Sequence, residues 1–138
     1  MVRLARLADI PQLLEIRDGP GENGLTDPGP VSEADAVRFI ANRTLWVWQE
    51  DDGAIAGFAG SDTDAGSIWA LLVAPGHEGK GIGRALLATA CDKLREAGHR
   101  SAWLTTAAGS RAERHYRAAG WIASGDNQKG KLLLQKPL

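Results

Sequence analysis

Cysteine occurs once in the 138 residues, as do methionine and tyrosine, while phenylalanine occurs twice and histidine three times. A lone Cys91 excludes an internal disulfide, and it falls in a helical pattern where a small packed residue is expected. That usage suits a reducing compartment, so a cytoplasmic location is expected. His77, His99 and His115 share no metal-ligand spacing, so no metal is expected. No apolar run is long enough to cross a membrane, and Met1 to Arg6 lacks the apolar core of a secretion signal. No basic run is interleaved with aromatics, which argues against nucleic acid as a partner. The length predicts one domain over residues 1–138, with apolar content for a single core.

Net charge is nearly absent at −1, from 16 Lys/Arg and 17 Asp/Glu. The charges are unevenly placed. Residues 1–70 hold five of the basic and twelve of the acidic residues (−7), leaving eleven and five (+6) for residues 71–138. The basic half would favour an anionic ligand and the acidic half a cationic partner such as an amine. Ordinary scatter of solvated charges would look the same.

Glycine, by contrast, is plentiful, at 17 positions. Its most informative cluster follows an apolar run, Leu71-Leu72-Val73, that stops at Ala74-Pro75-Gly76. The chain then runs His77-Glu78-Gly79-Lys80-Gly81-Ile82-Gly83-Arg84-Ala85-Leu86-Leu87, a glycine-dense loop entering an amphipathic helix. Glycine permits unusual backbone angles and leaves no side chain in the way, so such a loop can turn several N–H groups toward one anion. The positive end of the helix dipole adds to the attraction. A phosphorylated ligand is therefore expected. A Walker phosphate loop needs Lys-Ser or Lys-Thr after its last glycine, and Ile82 and Arg84 fail that test. A dinucleotide fingerprint needs a third glycine where Arg84 stands.

Glu78-Gly79-Lys80-Gly81-Ile82-Gly83 resembles the pyrophosphate loop of the GNAT superfamily of N-acetyltransferases, commonly Gln/Arg-x-x-Gly-x-Gly/Ala. It departs at Glu78, where a cationic or amide residue is usual. The resemblance implies binding of coenzyme A by Glu78, Gly79, Lys80, Gly81, Ile82, Gly83 and Arg84, mainly through main-chain N–H groups. It also implies that the backbone of Leu71, Leu72 and Val73 runs along the pantetheine arm and polarises the thioester carbonyl. His115-Tyr116-Arg117-Ala118-Ala119-Gly120-Trp121 is similar to the family's Tyr-x-x-x-Gly-Phe segment, with Trp121 for Phe. By that resemblance Tyr116 is the catalytic general acid, protonating the departing thiolate. Without it, Tyr116 reads as a packed aromatic. The Asn that many members carry seven residues before this tyrosine is replaced by Gly109; Thr106 or Ser110 could stand in, although Ser110 already suits a helix cap.

The remaining pattern alternates strands and helices in the order β-α-α-β-β-β-α-β-α-β-β. This order is similar to that of the α/β GNAT (acyl-CoA N-acyltransferase) fold, and the resemblance implies a mixed central sheet flanked by helices. Strands are predicted over Val2–Leu7, Leu45–Trp48, Ala54–Gly60, Ser67–Val73, Ser101–Thr105, Trp121–Ser124 and Lys131–Gln135. A helix capped at Asp9 presents Ile10, Leu13 and Leu14. A second, starting at Ser32, carries Val37 and Ile40. Residues 19–30 form a long Gly/Pro-rich loop with functional potential. The main helix runs from about Gly81 to Ala97, with Ile82, Leu86, Ala90, Leu94 and Ala97 as its stripe. Ser110-Arg111-Ala112-Glu113 is a capping box opening the last helix, which Gly120 ends.

No general base stands out. Ser67 to Val73 contains no carboxylate; Glu22, Asp27, Asp62 and Asp64 read first as surface acids, and His77 and His115 are further candidates. Of Trp46, Trp48, Trp69, Trp103 and Trp121, most read as packing, and Trp69 could line an acceptor cleft. The expected activity is transfer of acetyl from acetyl-CoA, as co-substrate, to a primary amine by direct attack in a ternary complex. The acceptor would be a small-molecule or a peptide or protein amine, and a homodimer is compatible. The alternative is a non-catalytic acyl-CoA-binding sensor or regulatory domain of the same fold.

Overall fold

The computed structural model describes residues 1–19, 31–124 and 130–138. Seven strands and four helices follow the expected order. The strands are β1 (Val2–Leu4), β2 (Leu45–Gln49), β3 (Ile55–Asp62), β4 (Ser67–Val73), β5 (Ser101–Ala107), β6 (Ile122–Ala123) and β7 (Lys131–Pro137). The helices are α1 (Ile10–Arg17), α2 (Glu33–Ala41), α3 (Ile82–Glu96) and α4 (Arg111–Ala118). One mixed sheet has the order β1-β2-β3-β4-β5-β7-β6. Only β4 and β5 are parallel neighbours; the other pairs are antiparallel. This is the α/β architecture expected from the sequence.

Both sheet faces are covered, which is why β2 reads as a continuous apolar run rather than an alternation. Leu45 and Val47 pack with α1 and α2, through Ile10, Leu13, Ile16, Ala36 and Phe39. Trp46 lies on the other face, in the core formed with α3 through Leu86, Ala90 and Leu94; that core extends under α4 at Tyr116. Among the described residues, no helix is long and apolar enough to cross a membrane.

Several local expectations change. The first strand ends at Leu4, and Leu7–Asp9 form a 3-10 turn. Asp9 occupies the cap position of α1 but makes no capping bond. Its carboxylate instead accepts two bonds from Arg3, at 2.9 and 3.0 Å, and one from the Arg6 N–H at 2.8 Å. Those bonds, Arg3 foremost, hold the Asp9 carboxyl below its ordinary range. On α2 the buried pair is Ala36 and Phe39, whereas Val37 is exposed. Ser32 caps that helix as expected, accepting the Asp35 N–H. Past Gly19, the long loop lies outside the described residues, and with it Glu22 and Asp27.

The feature that shapes the centre of the sheet is a bulge in β4. Gly60 pairs with Ala70, but Ser61 pairs with Ile68, so Trp69 is an extra residue. A bulge shifts the in–out alternation and bends its strand. Accordingly Ile68, Leu71 and Val73 face α3, while Trp69, Ala70 and Leu72 face α1 and α2. The Trp69 ring packs on Phe39 with centroids 4.5 Å apart. It also lies across Gly60, where a Cβ would come within 2.5 Å of its Cε3 atom. The parallel β4–β5 ladder is confined to Ser67 opposite Trp103, before the bulge. Beyond it, toward Val73 and Ala107, the two strands share no further ladder position.

Gly60→Ala should therefore destabilise the fold by about 1–3 kcal/mol, the usual cost of an overpacked methyl. The penalty should shrink in a Trp69→Ala background, because the clash partner is gone. Urea unfolding of the two single variants and the double variant measures this; a penalty that stays the same in both backgrounds would disprove the interlock.

Candidate active site

At the C-terminal end of β4 the chain turns through Ala74-Pro75-Gly76 into the glycine loop. Gly76, Gly79 and Gly81 have φ of +84°, +77° and +83°. Side chains rarely adopt this region, so glycine is required there by the backbone. A Cβ built on any of the three would meet nothing within 4 Å. The space beside them is open, as a loop that receives a ligand requires. Gly81 is also the N-cap of α3, with no side chain capping the helix, so its first N–H groups keep their capacity for an acceptor. Gly83 lies inside α3 with ordinary angles.

These groups border a cleft of about 370 Å³ lined by Val73, His77 to Gly79, Gly81 to Arg84, Arg111 and His115. Of the residues predicted to bind the cofactor, Val73, Glu78, Gly79, Gly81, Ile82, Gly83 and Arg84 are thus brought together. Lys80 is exposed beside the cleft rather than lining it. Leu71 and Leu72 are fully buried, their side chains on opposite sheet faces. The Glu78 carboxylate accepts the Gly76 N–H at 2.9 Å, which folds its charge back onto its own loop. His77 Nδ1 lies 3.2 Å from Glu50 Oε1, at angles that do not make a hydrogen bond.

Arg111 and His115 were not assigned to the cofactor cleft from the sequence. Both lie on α4, whose N-terminus Ser110 caps by accepting the Glu113 N–H at 3.1 Å. The capping box is not closed in the usual way. Glu113 Oε1 accepts the Gly109 N–H at 2.7 Å, one residue before the cap. Gly109, at φ +77°, therefore anchors the start of α4 through its backbone. His115 is held below its ordinary value by burial first, then by the positive charges of Arg84 and Arg111. It is therefore neutral at pH 7. The signal that could have revealed this wall was the spacing of Arg111 and His115, one helical turn apart on the face beside Tyr116.

Tyr116 does not line the cleft itself. It is completely buried next to His115, ring centroids 5.6 Å apart and edge-on, with Trp121 edge-on at the same distance. Its hydroxyl has no hydrogen-bond partner. An orphaned buried hydroxyl costs about 1–3 kcal/mol, and a native fold keeps one where something else supplies the partner. Burial, and secondarily Cys91, push the phenol well above its ordinary value, so it stays protonated.

The candidate bases separate. Asp62 Oδ1 accepts the N–H groups of Asp64 and Ala65 in the β3–β4 turn, at the opposite end of β4 from the loop. Asp62 and Asp64 therefore serve that turn. No cluster of potential metal ligands occurs among the described residues.

With fold and cleft defined, comparison with known proteins identifies the class. The Acetyltransferase (GNAT) family profile matches residues 10–121, and the chain belongs to that family. A streptothricin acetyltransferase of Streptomyces lavendulae is 36% identical over 123 residues, 86% of this chain. This chain spans 61% of that relative's length. Among solved structures, a Mycobacterium tuberculosis protein in complex with CoA superposes with a TM-score of 0.78, at 15% identity over 100% of this chain and 99% of that one. A phosphinothricin acetyltransferase from Sinorhizobium meliloti, in complex with AcCoA, gives a TM-score of 0.72 at 23% identity over 100% and 88%. These two likenesses concern the fold.

Cys91 offers a direct check on these surroundings. Burial pushes its thiol up to about 11, against partial relief from Lys136 and Arg95. At pH 7.5 the thiolate would be roughly three parts in ten thousand, against roughly a tenth for an unperturbed thiol. Alkylation of native protein should therefore be roughly a hundred-fold slower or more than in urea. A comparable native rate would show that Cys91 is an accessible, activated thiol.

Proposed function

We propose that this chain is an acetyl-CoA-dependent N-acetyltransferase that carries acetyl to a primary amine by direct attack in a ternary complex. The observation that carries the reading is the glycine-loop cleft set beside a buried phenol whose hydroxyl lacks a partner. The residues fit coenzyme A: open positive-φ glycines and an uncapped helix start for its pyrophosphate, and an unmet hydroxyl where a sulfur can be received. When bound, the thioester supplies an activated acetyl group and a thiol leaving group.

Each part of the chain then has a task. The N–H groups from Gly79 to Arg84 hold the pyrophosphate, aided by the helix dipole. Leu71, Leu72 and Val73, at the end of β4 where it no longer pairs with β5, lie along the pantetheine arm and polarise the thioester carbonyl through their backbone. Tyr116, fixed edge-on between His115 and Trp121, holds the proton that the departing sulfur takes up. The amine loses its own proton before attack, to water or to a side chain. Streptothricin is the first acceptor to test, because an acetyltransferase named for it is 36% identical. A protein N-terminal amine is the second. A sensor that binds acyl-CoA without turnover is favoured by the absence of a carboxylate from β4. Thiol release with an amine panel separates it from an enzyme.

Acetyl-CoA should raise the melting temperature, since a ligand that binds only the folded state stabilises it. Gly81→Asp should abolish that rise by placing a side chain and a negative charge at the helix start. Circular dichroism would verify that the variant folds. A folded Gly81→Asp that still responds fully would remove the loop from the cofactor site.

Tyr116→Phe keeps the packed ring and removes the proton donor. Turnover should fall by roughly a hundred-fold or more with cofactor affinity nearly unchanged, the range for general acid–base catalysis. The sign of the pH dependence follows from the raised phenol. A donor whose value is pushed upward keeps its proton through the mildly alkaline range, so wild-type turnover should not decline between about pH 8 and pH 10. Equal turnover of both proteins across that range would reduce Tyr116 to packing.

A further inference from the structure

The glycine loop forms one wall of the cleft, and α4 forms the other. Arg111 and His115 line the same space as Gly79, Gly81, Gly83 and Arg84. Neither Arg84 nor Arg111 has a carboxylate partner among the described residues. The nearby acids are occupied. Glu113 takes Arg117 Nε at 2.7 Å and the Gly109 N–H at 2.7 Å. Glu78 is turned onto Gly76, and Glu50 lies against His77. Two guanidinium groups sharing a cleft without counter-charge repel one another, an arrangement that an anion between them relieves. Both act on the His115 ring, Arg84 more than Arg111, which places the ring under the influence of both walls. A neutral imidazole keeps one N–H to donate.

We propose that Arg84 and Arg111 clamp the coenzyme's pyrophosphate from opposite walls of the cleft, with His115 donating a hydrogen bond between them. Arg111 thus supplies from α4 the side-chain contact that Glu78 does not make from the loop. The proposal rests on the reading of this cleft as a coenzyme A site. A diphosphate suits the arrangement because each guanidinium presents a planar fork of donors to paired oxygens. His115 also touches Tyr116, so closing the clamp would fix α4 and, through it, the phenol.

The test is calorimetric binding of coenzyme A and of dephospho-coenzyme A, which lacks the 3′-phosphate but keeps the pyrophosphate. Arg111→Gln should weaken both ligands by about ten- to hundred-fold, the range of a charge-assisted hydrogen bond. Arg111→Lys should recover part of the loss, because the charge returns without the fork. Arg114→Gln removes the same charge from an exposed position on α4 outside the cleft, and should leave both affinities unchanged. Ligand-free Arg111→Gln should melt at or above the wild-type temperature, since a repulsion is removed. Wild type that binds neither ligand would overturn the coenzyme A reading itself. Wild type that binds, with Arg111→Gln within threefold of it, would overturn the clamp alone. A loss confined to coenzyme A would move Arg111 to the 3′-phosphate and equally refute the pyrophosphate clamp. An equal loss in Arg114→Gln would reduce the effect to long-range charge.

Discussion

The extra residue in β4 is the constraint on which the rest of the site depends. Two parallel strands that remained paired to their ends would close the sheet and leave no passage through it. Here the ladder stops at Ser67 and Trp103, and Trp69 enters two residues later without a ladder partner on β3. The bulge bends β4 and exchanges the faces of its side chains, so Leu71 and Val73 meet α3 while Leu72 meets the other layer. Gly60 makes the bulge sterically feasible by leaving room for the indole. Gly57 does the same for the helix: a Cβ there would come within 2.8 Å of the Leu72 carbonyl and 3.2 Å of a Leu86 methyl. Gly57 thus lets α3 sit close on one face of the sheet, and Gly60 seats the indole on the other.

The electrostatics follow the same division. Several acidic residues of the first half are committed within it. Asp9 is held by Arg3, Asp18 by Arg17 and Asp35 by Arg38, while Asp52 and Asp62 accept backbone N–H groups in turns. Arg84 and Arg111 beside the cleft have no carboxylate partner among the described residues. A site whose positive groups lack internal partners retains its attraction for an anion, because no ion pair must be broken first. The charge asymmetry between the two halves of the sequence therefore had a structural counterpart, although its informative part was the pairing state of particular arginines rather than the totals.

The element order, β4 from Ser67 to Val73 and the start of α3 were legible because each rests on local signals: an apolar run, a Pro-Gly stop, then glycines before a helical stripe. The Ser32 and Ser110 caps were legible for the same reason. What escaped reading depends on contacts distant in sequence. The bulge at Trp69 is set by Gly60 across the ladder. Asp9 has the composition of a helix cap, but Arg3 outcompetes the helix for its carboxylate. Val37 and Phe39 are both apolar, and Phe39 is the one buried, in the core shared with α1 and the sheet and against the Trp69 ring. The spacing of Arg111 and His115 puts them on one face of α4, but that face meets the glycine loop only because β5 and α4 return the chain there.

On the proposed reading, the burial of Tyr116 seems at first to work against it, since a phenol pushed well above its ordinary value is a weaker acid. The comparison that matters is with the group receiving the proton in the same surroundings. Desolvation disfavours every anion there, thiolates included. Cys91 serves as an internal gauge: it is close enough to Tyr116 to influence its titration, and its own thiol is pushed up to about 11. A thiolate released beside Tyr116 would be raised in the same direction as the phenol. The two shifts run in the same direction, so the phenol loses less as a donor to that thiolate than its own shift alone implies. On that proposal, burial would also keep bulk water away, leaving the Tyr116 hydroxyl as the donor to the sulfur. The lack of a partner for that hydroxyl is then the consequence of holding a proton donor ready for an acceptor that arrives with the substrate.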